Sequence, residues 1–207
     1  AIQGAVEAVR ITRQAVNLET IGGGKPVGLC GSGLLGAIAE LVRTGVIDPT
    51  GRIRPRDEIK SAALAERVVE SDGGREFVLS RRPRMTLRQG DIREVQLGKA
   101  AICAGIKVLA RVAGIGMDEI DEVLVAGSFG SALRSSTVRT VGLVPREIRG
   151  KIRIIGNSAI EGAKIFLVSN QARADAEDIA AGAEHVELFS RPEFREEFYT
   201  AMRFTRP

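Results

Sequence analysis

The chain of 207 residues has no tryptophan, one tyrosine, one histidine and two cysteines. Each scarcity removes a class of chemistry. With His185 alone there is no imidazole for a Ser/His relay or a histidine-rich metal site, so it reads as a surface or packing residue. Cys30 and Cys103 form no C-x-x-C pair, and two thiolates cannot complete a four-cysteine iron–sulfur or zinc centre, so this segment alone supplies neither. Metal ligands are therefore not expected here. Unpaired, sparse cysteines fit a reducing compartment, and the expected location is cytoplasmic. No apolar run approaches the ~18 residues that a membrane span needs, and no signal-peptide pattern opens the chain, so no membrane partner is expected. Aromatics are only 4% of residues; with few stacking platforms and no reader motif, no nucleic-acid partner is expected either.

What is present is a 44% hydrophobic composition, enough for one α/β domain, and a formal net charge of +4. The positive charge is carried largely by arginines spread over solvated faces, and it suits acidic partners such as nucleotides. The first residue is not Met and Gly4-Ala5-Val6 reads as the tail of an element already under way, so a single domain cut from a longer protein is expected.

The most informative pattern is a strand running into a glycine turn, and it occurs three times. Val27–Cys30 leads into Gly31-Ser32-Gly33 and a helix over 34–42; Val123–Ala126 leads into Gly127-Ser128-Phe129-Gly130; Ile152–Ile155 leads into Gly156-Asn157-Ser158-Ala159. Glycine permits a ligand to touch the backbone, and open α/β sheets bind nucleotides and phosphates at such carboxyl-terminal turns. Elsewhere, alternation over 5–21 predicts two adjacent strands, and 67–80 predicts a hairpin turning at Asp72-Gly73-Gly74, followed by a solvated connection at 81–84. Ile92, Val95, Ile102, Ile106, Leu109 and Val112 recur at helical spacing, predicting a helix over 91–112 with Asp91 at its start and Gln96 and Lys99 solvated on one edge. Cys30 and Cys103 read as small packed residues. Helices over 159–168 and 172–182, a short strand over 184–189 and a helix from Pro192 complete the chain.

Taken in order, Thr20–Gly33, Asp91–Ala100, Val125–Gly130 and Gly156–Ala159 resemble the carboxyl-terminal ATPase region of the reductive activators of corrinoid proteins, over essentially all 207 residues. Those activators belong to the actin-like ATPase superfamily with acetate and sugar kinases and heat-shock chaperones. The resemblance implies an α/β, ribonuclease-H-like lobe with a mixed sheet flanked by helices and a small β-hairpin insertion. It also implies a parent protein with an upstream lobe and a [2Fe-2S] domain, neither within this chain. ATP or ADP with Mg2+ would be the parent's cofactor and a corrinoid protein its partner, the parent using ATP to return Co(II) corrinoid to Co(I). Residue by residue, Gly127, Ser128, Phe129 and Gly130 would meet adenosine, Gly31, Ser32 and Gly33 would cradle phosphate, and Gly156 and Asn157 would flank the nucleotide. For Asn157, a helix-capping role stands open beside ligand contact.

The chain departs from the family pattern in three places. Relatives usually have two glycines where Gly127-Ser128 stands, they often carry an acid shortly after the Gly-Ser-Gly turn where this chain has Leu35-Gly36, and the superfamily's first phosphate loop has no counterpart. A sugar- or acid-kinase-like phosphotransferase lobe and a non-catalytic docking module of the same fold therefore remain as alternatives. A homodimer is a possible assembly.

Overall fold

The computed structural model describes residues 2–127 and 133–204. Val6, Val9 and Ile11 lie buried on one strand, β1 (Ala5–Ile11), which pairs antiparallel with β2 (Val16–Thr20). A short β3 (Gly28–Leu29) runs parallel along the other edge of β1, giving a mixed sheet in the order β2-β1-β3. From it the chain enters α1 (Gly31–Arg43), whose Leu35, Ile38, Leu41 and Val42 are buried against the sheet. Burial of each such side chain contributes about 1.5–3 kcal/mol. Gly33 sets how close α1 comes: a Cβ there would lie 2.0 Å from the Val6 carbonyl oxygen. Glu40 and Arg43 then tie the far end of α1 to β1, the Glu40 carboxylate accepting from the Ile11 amide at 2.7 Å and Arg43 donating to the Ile11 carbonyl.

Helix α1 ends at Thr44 and Gly45, and the Asp48–Gly51 turn follows, with the Asp48 carboxylate accepting from the Thr50 amide (2.8 Å) and hydroxyl (2.6 Å). A single helical turn, α2 (Ala62–Ala65), is capped by Ser61. The expected hairpin is present as β4 (Val68–Ser71) and β5 (Gly74–Arg81), but β6 (Arg84–Arg88) adds a third antiparallel strand. Residues 81–84 are exposed, as expected, and form the tight turn between β5 and β6, whose Phe77 and Leu87 pair across the sheet and are both buried.

Helix α3 (Gln89–Val112) starts two residues before Asp91, whose carboxylate reaches back to accept from the Arg88 amide at 2.8 Å. Its packed face is only partly the expected one: Val95 and Ile106 pack against the core. Ile92 is buried, but Ile102, Leu109 and Val112 are exposed, and the inward stripe continues through Gln96, Lys99, Cys103 and Val108. Both Gln96 and Lys99, expected in solvent, are only 2% exposed.

β7 (Glu122–Ala126) and β8 (Lys151–Gly156) form a parallel pair joined through α4 (Ser135–Val141). After β8 come α5 (Ser158–Val168) and α6 (Asn170–Ala181), neither with a buried residue, although Ile160, Ile165, Leu167, Val168 and Ile179 are among their side chains. The expected strand over 184–189 does not form. Val186 and Leu188 are half-buried and their neighbours exposed, so the alternation is real, but it reflects Leu188 packing beside Ala104, Val108 and Phe194 rather than strand pairing. The last helix, α7 (Pro192–Ala201), packs along α3. The main core runs continuously from β1 and α1 through Ile47, Ile53, Phe77 and Ile92 to Val138, Val141 and Ile148. Among the described residues no helix is long and apolar enough to cross a membrane.

Candidate functional site

Two of the three glycine turns lie side by side. β7 and β8 are parallel, with one register shift between Val125 and Ala126 that brings Ala126 opposite Gly156, and the Gly127 amide donates to the Gly156 carbonyl at 2.7 Å. Both glycines hold left-handed backbone, with φ of 108° and 70°. Among the described residues, neither has any heavy atom within 4 Å of where a Cβ would stand. The space beside both is therefore clear of described residues, and a side chain at either would be strained and would project into it. Ser128, Phe129 and Gly130 lie outside the described residues.

The third turn sits at the start of α1. Gly31 is its first residue and no side chain caps it, which leaves the first-turn amides without an intrahelical acceptor. Ser32 is buried and its hydroxyl donates to the Glu7 carbonyl at 3.0 Å, while the Cys30 thiol donates to the Val6 carbonyl at 3.1 Å. The Ser32 hydroxyl and the absent Gly33 side chain thus fasten α1 to β1; what this turn offers a phosphate is backbone. Ser32 and Gly36 share a recess of about 50 Å³ with Leu133, Arg134 and Thr137, the residues where the chain returns from the Gly127 turn into α4. The first turns of α1 accordingly lie beside the start of α4.

Asn157 caps α5: its side-chain oxygen accepts from the Ile160 amide at 3.3 Å. Of its two open roles, capping is the one the geometry displays. Cys103 is buried in mid-α3, where burial pushes its thiol pKa up, and His185 is exposed. Among the described residues, no three or more His, Cys, Asp or Glu side chains are grouped to hold a metal ion.

Sequence patterning missed the most unusual electrostatics, at Lys99. Its ammonium donates to the Arg203 carbonyl and lies 5.0 Å from the centre of the Phe204 ring. Burial pushes its pKa down from 10.5 to about 8, with Cys103 acting weakly the other way. The sign follows directly. Between about 8 and 10.5 the folded chain binds fewer protons than the unfolded one, so stability rises with pH through that window and is lost as pH falls through about 8. The effect is at most about 3 kcal/mol. Denaturant unfolding at stepped pH from 7.5 to 10.5 should show the rise in the natural chain and its loss in Lys99→Met (pH steps are about 1 unit). Equal slopes in the two proteins would refute the assignment.

The family described as the C-terminal domain of RACo, the ASKHA domain, matches residues 1–206. A protein of Eubacterium limosum described as corrinoid activation enzyme RamQ is 32% identical over 202 residues, which cover 94% of this chain and 34% of that protein. A solved structure of a reductive activator for corrinoid, iron–sulfur protein matches with a TM-score of 0.85 and 36% identity, over 99% of this chain and 33% of its own length. The chain spans about a third of the length of these two relatives.

Proposed function

The chain belongs to the family of RACo C-terminal ASKHA domains, and from that membership we propose that it is the ATP-binding lobe of a cytoplasmic, ATP-dependent reductive activator that returns Co(II) corrinoid protein to Co(I). The observation that carries the nucleotide reading is the Gly127–Gly156 pair: two left-handed glycines bonded to each other at the ends of parallel strands, with no described residue in the space beside either. Backbone there can approach a flat base or ribose closely, which any Cβ would prevent. The uncapped amides of Gly31, Ser32 and Gly33 supply donors for phosphate oxygens, with the helix dipole favouring negative charge. Ser128, Phe129 and Gly130 belong to the same proposed adenosine loop, and Asn157 supports it by holding α5 in place directly after Gly156.

Bound ATP with Mg2+ would supply the free energy of phosphate transfer to water, and the parent's [2Fe-2S] domain the electron. This chain's thiols do not fit a cluster: Cys30 is committed to the Val6 carbonyl and Cys103 is enclosed in α3. The residues here bind and orient nucleotide, while the upstream lobe of the parent closes the cleft. Relatives named for corrinoid activation support the corrinoid partner.

The test is calorimetry with Mg-ATP on the full-length protein that carries this chain. Gly127→Trp and Gly156→Val should each weaken binding at least about tenfold, about 1.4 kcal/mol or more. Corrinoid reduction, followed by the visible absorbance of the corrinoid, should fall with it. The isolated 207 residues should bind nucleotide weakly and release no phosphate. Undiminished Mg-ATP affinity in both variants would overturn the nucleotide assignment, and no binding in the unmodified full-length protein would favour a docking module instead.

A further inference from the structure

A recess of about 430 Å³ opens between α3, α7 and the segment after α4, away from the Gly127 and Gly156 turns. One wall is apolar, formed by Pro49, Val144, Pro145 and Phe204, and Lys99 lies at its base. The volume falls within the range of small-molecule sites, as does the combination of apolar wall and few polar groups.

Lys99 carries a buried charge with one carbonyl partner and one aromatic face. An ammonium has three donors, so two remain for a ligand. Among the described residues no carboxylate comes within ion-pair distance of it. The nearest candidates are engaged elsewhere: Glu147 pairs with Lys107 at 3.0 Å, and Glu197 with Lys107 and Arg111, each at 3.1 Å. The groups around the recess are therefore Lys99, Lys107 and Cys103 from α3, Arg146 and Glu147 from the segment after α4, and Arg203 from the segment after α7. Four of these are cationic and one is anionic, with Arg146 and Arg203 exposed at the surface. Leaving an ammonium buried without a counter-charge is costly, and an entering anion would remove that cost.

We propose that this recess binds a small organic anion, a carboxylate or a phosphate ester, with Lys99 as the charge at its base, Arg146 at its mouth and the Pro49–Phe204 wall against the ligand's carbon skeleton. The site is independent of the nucleotide reading and shares no residue with it. A Lys99 that served only to fasten residues 202–204 would be indifferent to small anions, and this difference makes the assignment testable.

The experiment uses the full-length protein with 13C at lysine Cε, titrated separately with glycerol 3-phosphate and with butyrate. One of the two should raise the Lys99 titration midpoint by about one unit or more, the shift expected from a charge within a few ångströms. Which ligand does so assigns the class. Arg146→Ala, a substitution on the surface, should weaken that ligand about three- to tenfold without moving the melting temperature, as loss of one partly screened cation would. Lys99→Met should abolish binding as read by calorimetry, and Gly127→Trp should leave it intact. If neither anion shifts the Lys99 signal at millimolar concentration, or if binding survives Lys99→Met, the proposal fails.

Discussion

Gly33→Ala is expected to destabilise the chain by about 3 kcal/mol, and more if the backbone cannot adjust. The added methyl would stand 2.0 Å from the Val6 oxygen and 2.9 Å from its carbonyl carbon, both main-chain atoms. β1 cannot move aside, because it is bonded to β2 on one edge and to β3 on the other. The helix must lift instead, and lifting α1 uncovers Leu35, Ile38 and Leu41 together with the ties from Ser32 and Glu40. For a chain of this size the melting temperature should drop by roughly 10 °C. Gly36→Ala is the control. Its added methyl would meet nothing closer than the Val9 nitrogen at 3.7 Å, and alanine favours a helix interior, so stability should hold or rise slightly. Circular-dichroism melts of both variants decide the matter: equal midpoints would show that α1 does not rest on β1 as described.

Gln96→Leu is expected to cost about 3 kcal/mol for a different reason, the stranding of buried acceptors. The Gln96 amide donates to the Thr50 carbonyl at 3.0 Å and to the Met202 carbonyl at 2.8 Å, joining the Asp48–Gly51 turn to the end of α7. Leucine has similar bulk and can offer neither carbonyl a hydrogen. Gly51 makes room for the Gln96 amide by having no side chain: a Cβ built there would lie 2.3 Å from Oε1. The segment 202–204 should then loosen, losing its bond at the Met202 carbonyl while keeping Lys99 to Arg203, the Phe204 amide to the Pro49 carbonyl at 2.9 Å and the buried Phe204 ring. Urea unfolding would measure the loss and limited trypsin digestion at Arg203 would report the loosening. A variant as stable and as resistant as the natural chain would refute this account.

Much of this architecture is legible in the sequence where the local signal and the tertiary outcome agree. The β1–β2 alternation, the stops at Gly45 and Gly114, and the start of α7 at Pro192 all depend on residues close in sequence. Gly127 and Gly156 were legible as turns because only glycine adopts their backbone readily, although their mutual hydrogen bond was not. The inward face of α3 follows hydrophobic spacing at Ile92, Val95 and Ile106 and departs from it at Ile102, Leu109 and Val112, for a physical reason. Hydrophobic spacing assumes that the covered side is the apolar side, yet the layer over α3 offers free carbonyls at Thr50, Met202 and Arg203 as well as carbon. Polar side chains that can donate are drawn there, and Ile102, Leu109 and Val112 are left in solvent. The spacing 92, 96, 99, 103 is itself helical, so the stripe is visible in the sequence once polar residues are admitted to it. Likewise Gly33, grouped with the phosphate turn, owes its identity chiefly to the approach of Val6.

The hairpin of α5 and α6 has a dynamic consequence. Without a single buried side chain, it is held by its caps at Asn157 and Ser169, by ion pairing within α5 and by contact between the two helices. Its opening exposes little that is not already wet, so residues 158–181 can come apart and re-form while β1, α1 and the start of α3 stay closed. The strand that ends at Gly156 therefore stands between the packed α4, with Val138 and Val141 buried, and a pair of helices with none.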